Sequence, residues 1–234
     1  MLKRKLISTL IVALIIPAVI IGGLYLSGGR YYITAVMVVA LSAVPFALKM
    51  NFKKLQAREI AVLASITALC VASRAAFFAL PQFKPMCAIL IICAASFGKE
   101  IGFICGAVSM LLSNMFFGQG IHTPFQMFGM ALTAYICGAL FYKTKLSDKT
   151  IAVCILGAAA CFIVYGFIVD TCSVLMMVSD FTLGSVVSVY LSGVAFNAIH
   201  AAATAAFLLI GYKPIRQKLE RIQIKYALFG EEEE

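Results

Sequence analysis

Long apolar runs, separated by short charged or glycine-containing breaks, set the pattern of this chain. A bilayer core calls for about 20 mostly apolar residues in helical form. Backbone groups in lipid must be bonded within their own segment, which makes helices the expected element. The alternating apolar and polar strands of a membrane barrel do not occur in the pattern. Cutting at charges and breakers predicts eight helices: Leu6–Leu26, Tyr31–Lys49, Ile60–Leu80, Pro85–Phe97, Ile101–Phe117, Pro124–Tyr142, Ile151–Val169 and Leu183–Tyr212. Pro85–Phe97 is too short to cross at full thickness. It needs neighbours that thin the local path, or a tilted pairing with the next helix through the Gly98–Gly102 turn.

Composition agrees with the pattern and adds an orientation. The chain of 234 residues is 63% hydrophobic and 12% charged, against about 45–50% apolar and about 25% charged for soluble domains. A net charge of +9 would suggest nucleic acid in a soluble protein. Here it reports loop placement, because Lys and Arg concentrate on the cytoplasmic side of membrane proteins. With the N-terminus inside, 16 of the 19 basic residues fall on that side: Lys3, Arg4, Lys5, Lys49, Lys53, Lys54, Arg58, Lys99, Lys143, Lys145, Lys149, Lys213, Arg216, Lys218, Arg221 and Lys225. Arg30 and Lys84 fall outside, and Arg74 within a span. The expected fold class is therefore an all-α integral membrane protein of eight transmembrane helices with both termini cytoplasmic. Its surroundings are the lipid bilayer, and no nucleic-acid partner is expected. The first apolar segment lacks a clear small-x-small cleavage site and reads as a retained span. The basic stretch Lys213–Lys225 has an amphipathic pattern suited to an anionic inner leaflet.

Candidate chemistry is sparse. The eight cysteines sit almost entirely in apolar runs, with no CxxC and no zinc spacing, and read as small buried hydrophobes. Gly98-Lys99-Glu100 lacks the upstream glycine and the Ser/Thr of a nucleotide-binding loop. Neither HExxH nor GxSxG occurs, and Ser192-Gly193 is a weak nucleophile candidate. Asp170 and Asp180 are expected at the outer end of a helix and in the loop after it, which leaves no mid-membrane carboxylate for ion coupling. No catalytic residue, metal or cofactor is expected, and the chain does not read as an enzyme.

What is present gathers at the outer face. The run from Asn114 to Met127 interrupts 42 residues without a charge, and it holds Asn114, Gln119, His122, Thr123, Phe125 and Gln126 around two glycines and Pro124. Apolar walls with a few convergent polar groups are what a small-molecule pocket requires. Arg74 should face the bundle, a partner or water, as an anchor for an anionic or carbonyl-bearing ligand or in an ion pair with Asp170 or Asp180. Lys84 belongs to the same rim, and Asn197 is placed to reach the cavity. Ala64, Ala68 and Ala72, with Ala57 and Ala61 in a parallel register, form a smooth stripe for close helix packing, either within the bundle or against a separate membrane subunit.

These features resemble the substrate-binding S components of energy-coupling factor (ECF) vitamin transporters. The resemblance rests on Leu80-Pro81-Gln82-Phe83-Lys84-Pro85 leading into a short helix, on the alanine stripe, and on the run from Phe116 to Met127. That run is similar to the FFFGQGxxTPxQM pattern of one S-component branch. Together the three features span about Arg58–Tyr212, and the resemblance implies a six-helix core, so that 1–52 forms two extra N-terminal helices, 53–212 the substrate-binding core and 213–234 a cytoplasmic tail. The family implies a protein of the bacterial cell membrane that captures a vitamin-like small molecule from outside. It would deliver it through a transmembrane coupling subunit powered by two ATPase subunits, which accounts for the missing nucleotide-binding loop. By resemblance Ala64, Ala68 and Ala72 would contact the coupling subunit, and the Gly118–Gln126 loop would close over the ligand. The branch looks most like proposed cobalamin S components, with riboflavin-like or other vitamins next. The chain departs from the pattern in its two extra helices and in His122, which stands where an aromatic usually precedes Thr-Pro.

Overall fold

The computed structural model describes residues 2–26, 31–49 and 56–229. Gly28-Gly29-Arg30, Lys53, Lys54 and the Glu231–Glu234 run lie outside the described residues, as do the side chains of Lys3, Arg4, Lys5 and Lys49. The described chain forms helical stretches that we label α1 (2–26), α2 (Tyr31–Lys49), α3 (Ala57–Ala76), α4 (Met86–Phe97), α5 (Lys99–Phe117), α6 (His122–Phe141), α7 (Thr150–Met177) and α8 (Leu183–Tyr226). Six of these are long and apolar enough to cross a membrane, while Tyr32–Leu48 and Met86–Phe97 are shorter. The all-helical class follows directly from the sequence pattern.

The short α4 is the centre of the bundle. Pro85 begins it and Gly98, at φ +100°, ends it in a conformation that favours glycine. Of its 12 residues, only Ile89 is not buried. A helix enclosed on every side by other helices has no need to match the bilayer thickness. Its partners α5 and α6 approach backbone to backbone: a Cβ added at Gly138 would lie 2.6 Å from the Cα of Lys99. Small residues permit that approach where lipid supplies no hydrophobic drive for association.

On one flank, α1 and α2 pack against each other and onto α5 and α6, burying Ile11, Val12, Ile16 and Ile20 from α1 and Ala35, Val38 and Phe46 from α2. On the other flank α7 and α8 close the bundle against α4 and α6. The alanine stripe of α3 takes no part in this packing. Ala57, Ala61, Ala64, Ala68 and Ala72 are all exposed, which leaves the stripe free on the outside of the bundle.

Two helix ends differ from expectation. The helix expected to stop at Val169 runs to Met177, with a π-helical turn at Cys161–Tyr165. Asp170 therefore lies inside a helix, about two turns from its end, and is buried rather than terminal. The last helix does not end at Tyr212 but continues to Tyr226 through Pro214. Tyr212 Oη and Arg216 Nη1 both donate to the backbone oxygen of Ser147, at 2.9 and 2.6 Å, and hold the extension against the loop after α6.

Beyond Tyr226 the chain turns back. Ala227 adopts φ +46°, and Leu228 and Phe229 are 2% and 4% exposed. The Phe229 ring meets Phe97 edge-on at 5.1 Å. Its backbone N–H donates to Oε1 of Glu59 at 2.6 Å, while Oε2 of Glu59 accepts from the N–H of Gln56 at 2.8 Å. A buried carboxylate is tolerable only when hydrogen-bonded. Glu59 meets that condition by tying the C-terminal hook to the first turn of α3.

Candidate functional site

A cavity of about 370 Å³ lies between α3, the start of α4, the second halves of α5 and α7, the first half of α6 and the upper part of α8. Its polar lining comes from Arg74, Gln82, Lys84, Gln126, Tyr165, Asp170, Ser173, Ser192, Asn197 and His200, and its apolar wall includes Met86, Met110, Met130, Met177 and Phe196. Neither α1 nor α2 contributes a lining residue. Methionine is unbranched and polarizable, so a wall with four of them can adapt to an irregular apolar body.

Arg74 sits in the last turn of α3 and reaches across to α5. Its Nη1 donates to Oδ1 of Asn114 at 2.6 Å and to Oγ of Ser113 at 2.9 Å, and the guanidinium lies 5.2 Å from the Phe117 ring centre. Neither Asp170 nor Asp180 pairs with it among the described residues. The expected ion pair is replaced by neutral acceptors, because the end of α5 is nearer to α3 than α7 is.

Asn114 is fully buried and distributes the contact. Its Nδ2 donates to Oε1 of Gln126 at 2.8 Å and to Oγ1 of Thr123 at 3.3 Å, and Thr123 Oγ1 also accepts from the N–H of Gly120 at 3.1 Å. With its carbonyl occupied, Gln126 keeps its amide NH2 group for the cavity that it lines. Gly118, at φ +110°, ends α5 and turns the chain into this loop. The turn is short because Gln119 Nε2 reaches back to the Leu111 carbonyl at 3.2 Å.

On the far wall α7 and α8 interlock. Oδ2 of Asp170 accepts from Nδ2 of Asn197 at 2.7 Å. The Asp170 carboxylate rests over Gly193, and the Asn197 amide rests over Gly166, where an added Cβ would be 2.8 Å from Cγ. Each polar side chain thus occupies the space that a glycine on the opposite helix leaves. The π turn of α7 brings Tyr165 to the floor, edge-on to His200 at 5.0 Å; such turns recur at functional sites.

Lys84 enters from the loop between α3 and α4. Phe77 and Phe83 of that loop pack on Phe207 of α8, with ring centres 5.1 and 5.6 Å away. The loop is tied onto the bundle, and Lys84 is half-buried in the cavity wall. Burial, and then repulsion by Arg74, hold its ammonium below the usual lysine range.

Of the residues expected from sequence, Arg74, Lys84, Gln126, Asp170 and Asn197 line one cavity. Asn114 and Thr123 stand behind it as the supports of Arg74 and Gln126. Gln119, His122, Phe125 and Asp180 do not line it: Phe125 is buried, His122 lies against Gly120, and Asp180 is exposed in the loop after α7. Sequence reading missed Gln82, the four methionines, Tyr165 and Phe196, and left His200 to the bundle. Tyr165 carries no signal in a continuous apolar run, since the π turn that brings it to the cavity has no breaker residue. All eight cysteines are buried, as their apolar surroundings suggested, and none forms a disulfide. No group of three or more His, Cys, Asp or Glu suited to a metal ion occurs among the described residues.

Residues 54–216 match the family model described as "ECF-type riboflavin transporter, S component". No curated protein and no solved structure matches the chain.

Proposed function

Because this chain belongs to the family of ECF-type riboflavin transporter S components, we propose that it captures a vitamin-sized molecule in the cavity between α3 and α8 and passes it to a separate coupling subunit. That subunit would be a transmembrane protein driven by two ATPase subunits. The observation that carries the reading is the cavity itself: a partly open site, walled by methionines, with Gln126 and Asp170 held in fixed positions by Asn114 and Asn197. Preset polar groups in an apolar wall are the usual form of a small-molecule site.

Size bears on the ligand. Ligand pockets run about 300–1,000 Å³, and about 370 Å³ suits a vitamin of one fused ring system better than a corrin. The reading therefore favours a ligand of flavin size over cobalamin. Membership also gives the exposed stripe a use. Ala64, Ala68 and Ala72 offer a smooth, unoccupied face on which a coupling-subunit helix can pack closely. The match begins at residue 54, after α1 and α2, and those helices add nothing to the cavity. They are additions to a six-helix binding core. The charge partition supports eight crossings of a bacterial cell membrane with both termini inside.

Asp170 favours one competing reading. A buried carboxylate within a membrane helix is what an ion-coupled transporter working alone would use. Native purification separates part of the question: the S-component reading predicts a vitamin bound to the purified chain, identified by absorbance and mass. A chain that never retains or binds a vitamin would refute it.

A further inference from the structure

The charge of the cavity is unbalanced on one side. Arg74 and Lys84 both line it, and no carboxylate lies within ion-pair distance of either among the described residues. The hydrogen bonds of Arg74 run through Nη1 alone, to Met110, Ser113 and Asn114, and with the Phe117 ring beside the guanidinium all of these neighbours are neutral. The remaining guanidinium N–H groups and the Lys84 ammonium have no hydrogen-bond or ion-pair partner among the described side chains. Two cations held close in a half-buried site repel one another, and partial desolvation adds to the cost. The carboxylate of the cavity, Asp170, is engaged instead on the α7–α8 wall by Asn197. Arg74 cannot turn away, because Asn114 and Ser113 fix it from α5.

We propose that Arg74 and Lys84 form an anion subsite inside the substrate cavity, so that the transported molecule carries a carboxylate or phosphate at one end and a hydrogen-bond donor for Asp170 at the other. A planar guanidinium with free N–H groups, beside an ammonium, suits either oxyanion through charge-assisted hydrogen bonds. The proposal rests on the S-component reading and narrows it to an acidic small molecule, which excludes a ligand with no ionised group, riboflavin itself included, and admits a flavin only with a phosphate or carboxylate.

The test uses the full chain in detergent. Thermal unfolding is followed during titration with sodium acetate and, separately, inorganic phosphate, against sodium chloride at matched ionic strength. The wild type is expected to gain a saturable rise in Tm with at least one of the two oxyanions. Lys84→Gln should shift the half-saturating concentration upward by about 10- to 100-fold, the range that loss of a charge-assisted hydrogen bond implies, and Lys84→Arg should restore it. Lys84 makes no side-chain hydrogen bond or ion pair among the described residues, so each variant's own unliganded Tm serves as its baseline. No saturable effect beyond chloride, or an equal effect in Lys84→Gln, would overturn the subsite. Co-purification with a coupling subunit, measured in parallel, tests the carrier reading by itself. Association without an anion effect removes only the subsite, and an anion effect without association removes only the carrier reading.

Discussion

Nη1 of Arg74 and Oδ1 of Asn114 stand 2.6 Å apart, so a guanidinium set in a membrane-crossing helix is anchored by an amide and not by a carboxylate. The same amide donates to Gln126 at 2.8 Å. One buried side chain thereby fixes two groups that face the cavity. Asn114→Ala is expected to cost about 1–3 kcal/mol, the range for leaving buried polar groups unsatisfied, and to weaken ligand binding as Arg74 and Gln126 lose their positions. Thermal unfolding and ligand titration of the variant check both effects. Unchanged affinity in a folded variant would show that the network does not serve the site.

The glycine under Asp170 makes a second prediction. A methyl group at Gly193 would enter the space of the Asp170 carboxylate, so Gly193→Ala should push α7 from α8 and break the bond to Asn197. Overpacking of this kind costs about 1–3 kcal/mol. Gly184→Ala, on the same helix but with only Thr182 at 3.9 Å, should be neutral or slightly stabilising because alanine is the better helix former. Equal melting temperatures for the two variants would contradict the interlock.

How far the sequence discloses this wall depends on the residue. Pro85 and Gly98 mark the ends of α4 in the sequence because their backbone preferences are local. Asp170 misleads, since a carboxylate after an apolar run reads as a terminus. It stays inside α7 because Gly193 and Asn197, 23 and 27 positions away, make room and supply a donor. Lys213-Pro214 misleads in the same way. The helix passes through it because Tyr212 and Arg216 grip the Ser147 carbonyl, a contact no local pattern contains. Gln126 and Arg74 were legible because polar groups in apolar surroundings are costly wherever the fold takes them. The methionines and Tyr165 were not, because apolar residues of a cavity wall look like core until the helices are assembled.

The C-terminal hook should act as a clamp on α3. Phe229→Ala removes a ring that packs on Phe97 and is expected to cost about 3–5 kcal/mol, the usual range for a buried Phe. Its backbone bond to Glu59 would persist. Ending the chain after Tyr226 would remove that donor as well and leave Oε1 of Glu59 without it, so the truncated chain should melt lower still. A truncated chain as stable as the wild type would show that the hook bears no load.

The alanine stripe predicts a separation of effects. Ala68 is exposed, so Ala68→Leu should leave the melting temperature and ligand affinity unchanged. It should nevertheless block co-purification with the coupling subunit, because a larger side chain prevents close helix approach. Loss of ligand binding together with association would place the stripe in the packing of the bundle instead.

As an S component, the chain is proposed to bind a vitamin without moving it alone. The direct measurement is uptake of the radiolabelled co-purifying ligand into liposomes that hold the purified chain, with imposed proton or sodium gradients, and then with the coupling subunit, the ATPase subunits and ATP added. Binding without accumulation is expected in the first case and ATP-dependent accumulation in the second. Accumulation by the chain alone, driven by an ion gradient and abolished in Asp170→Asn, would contradict it.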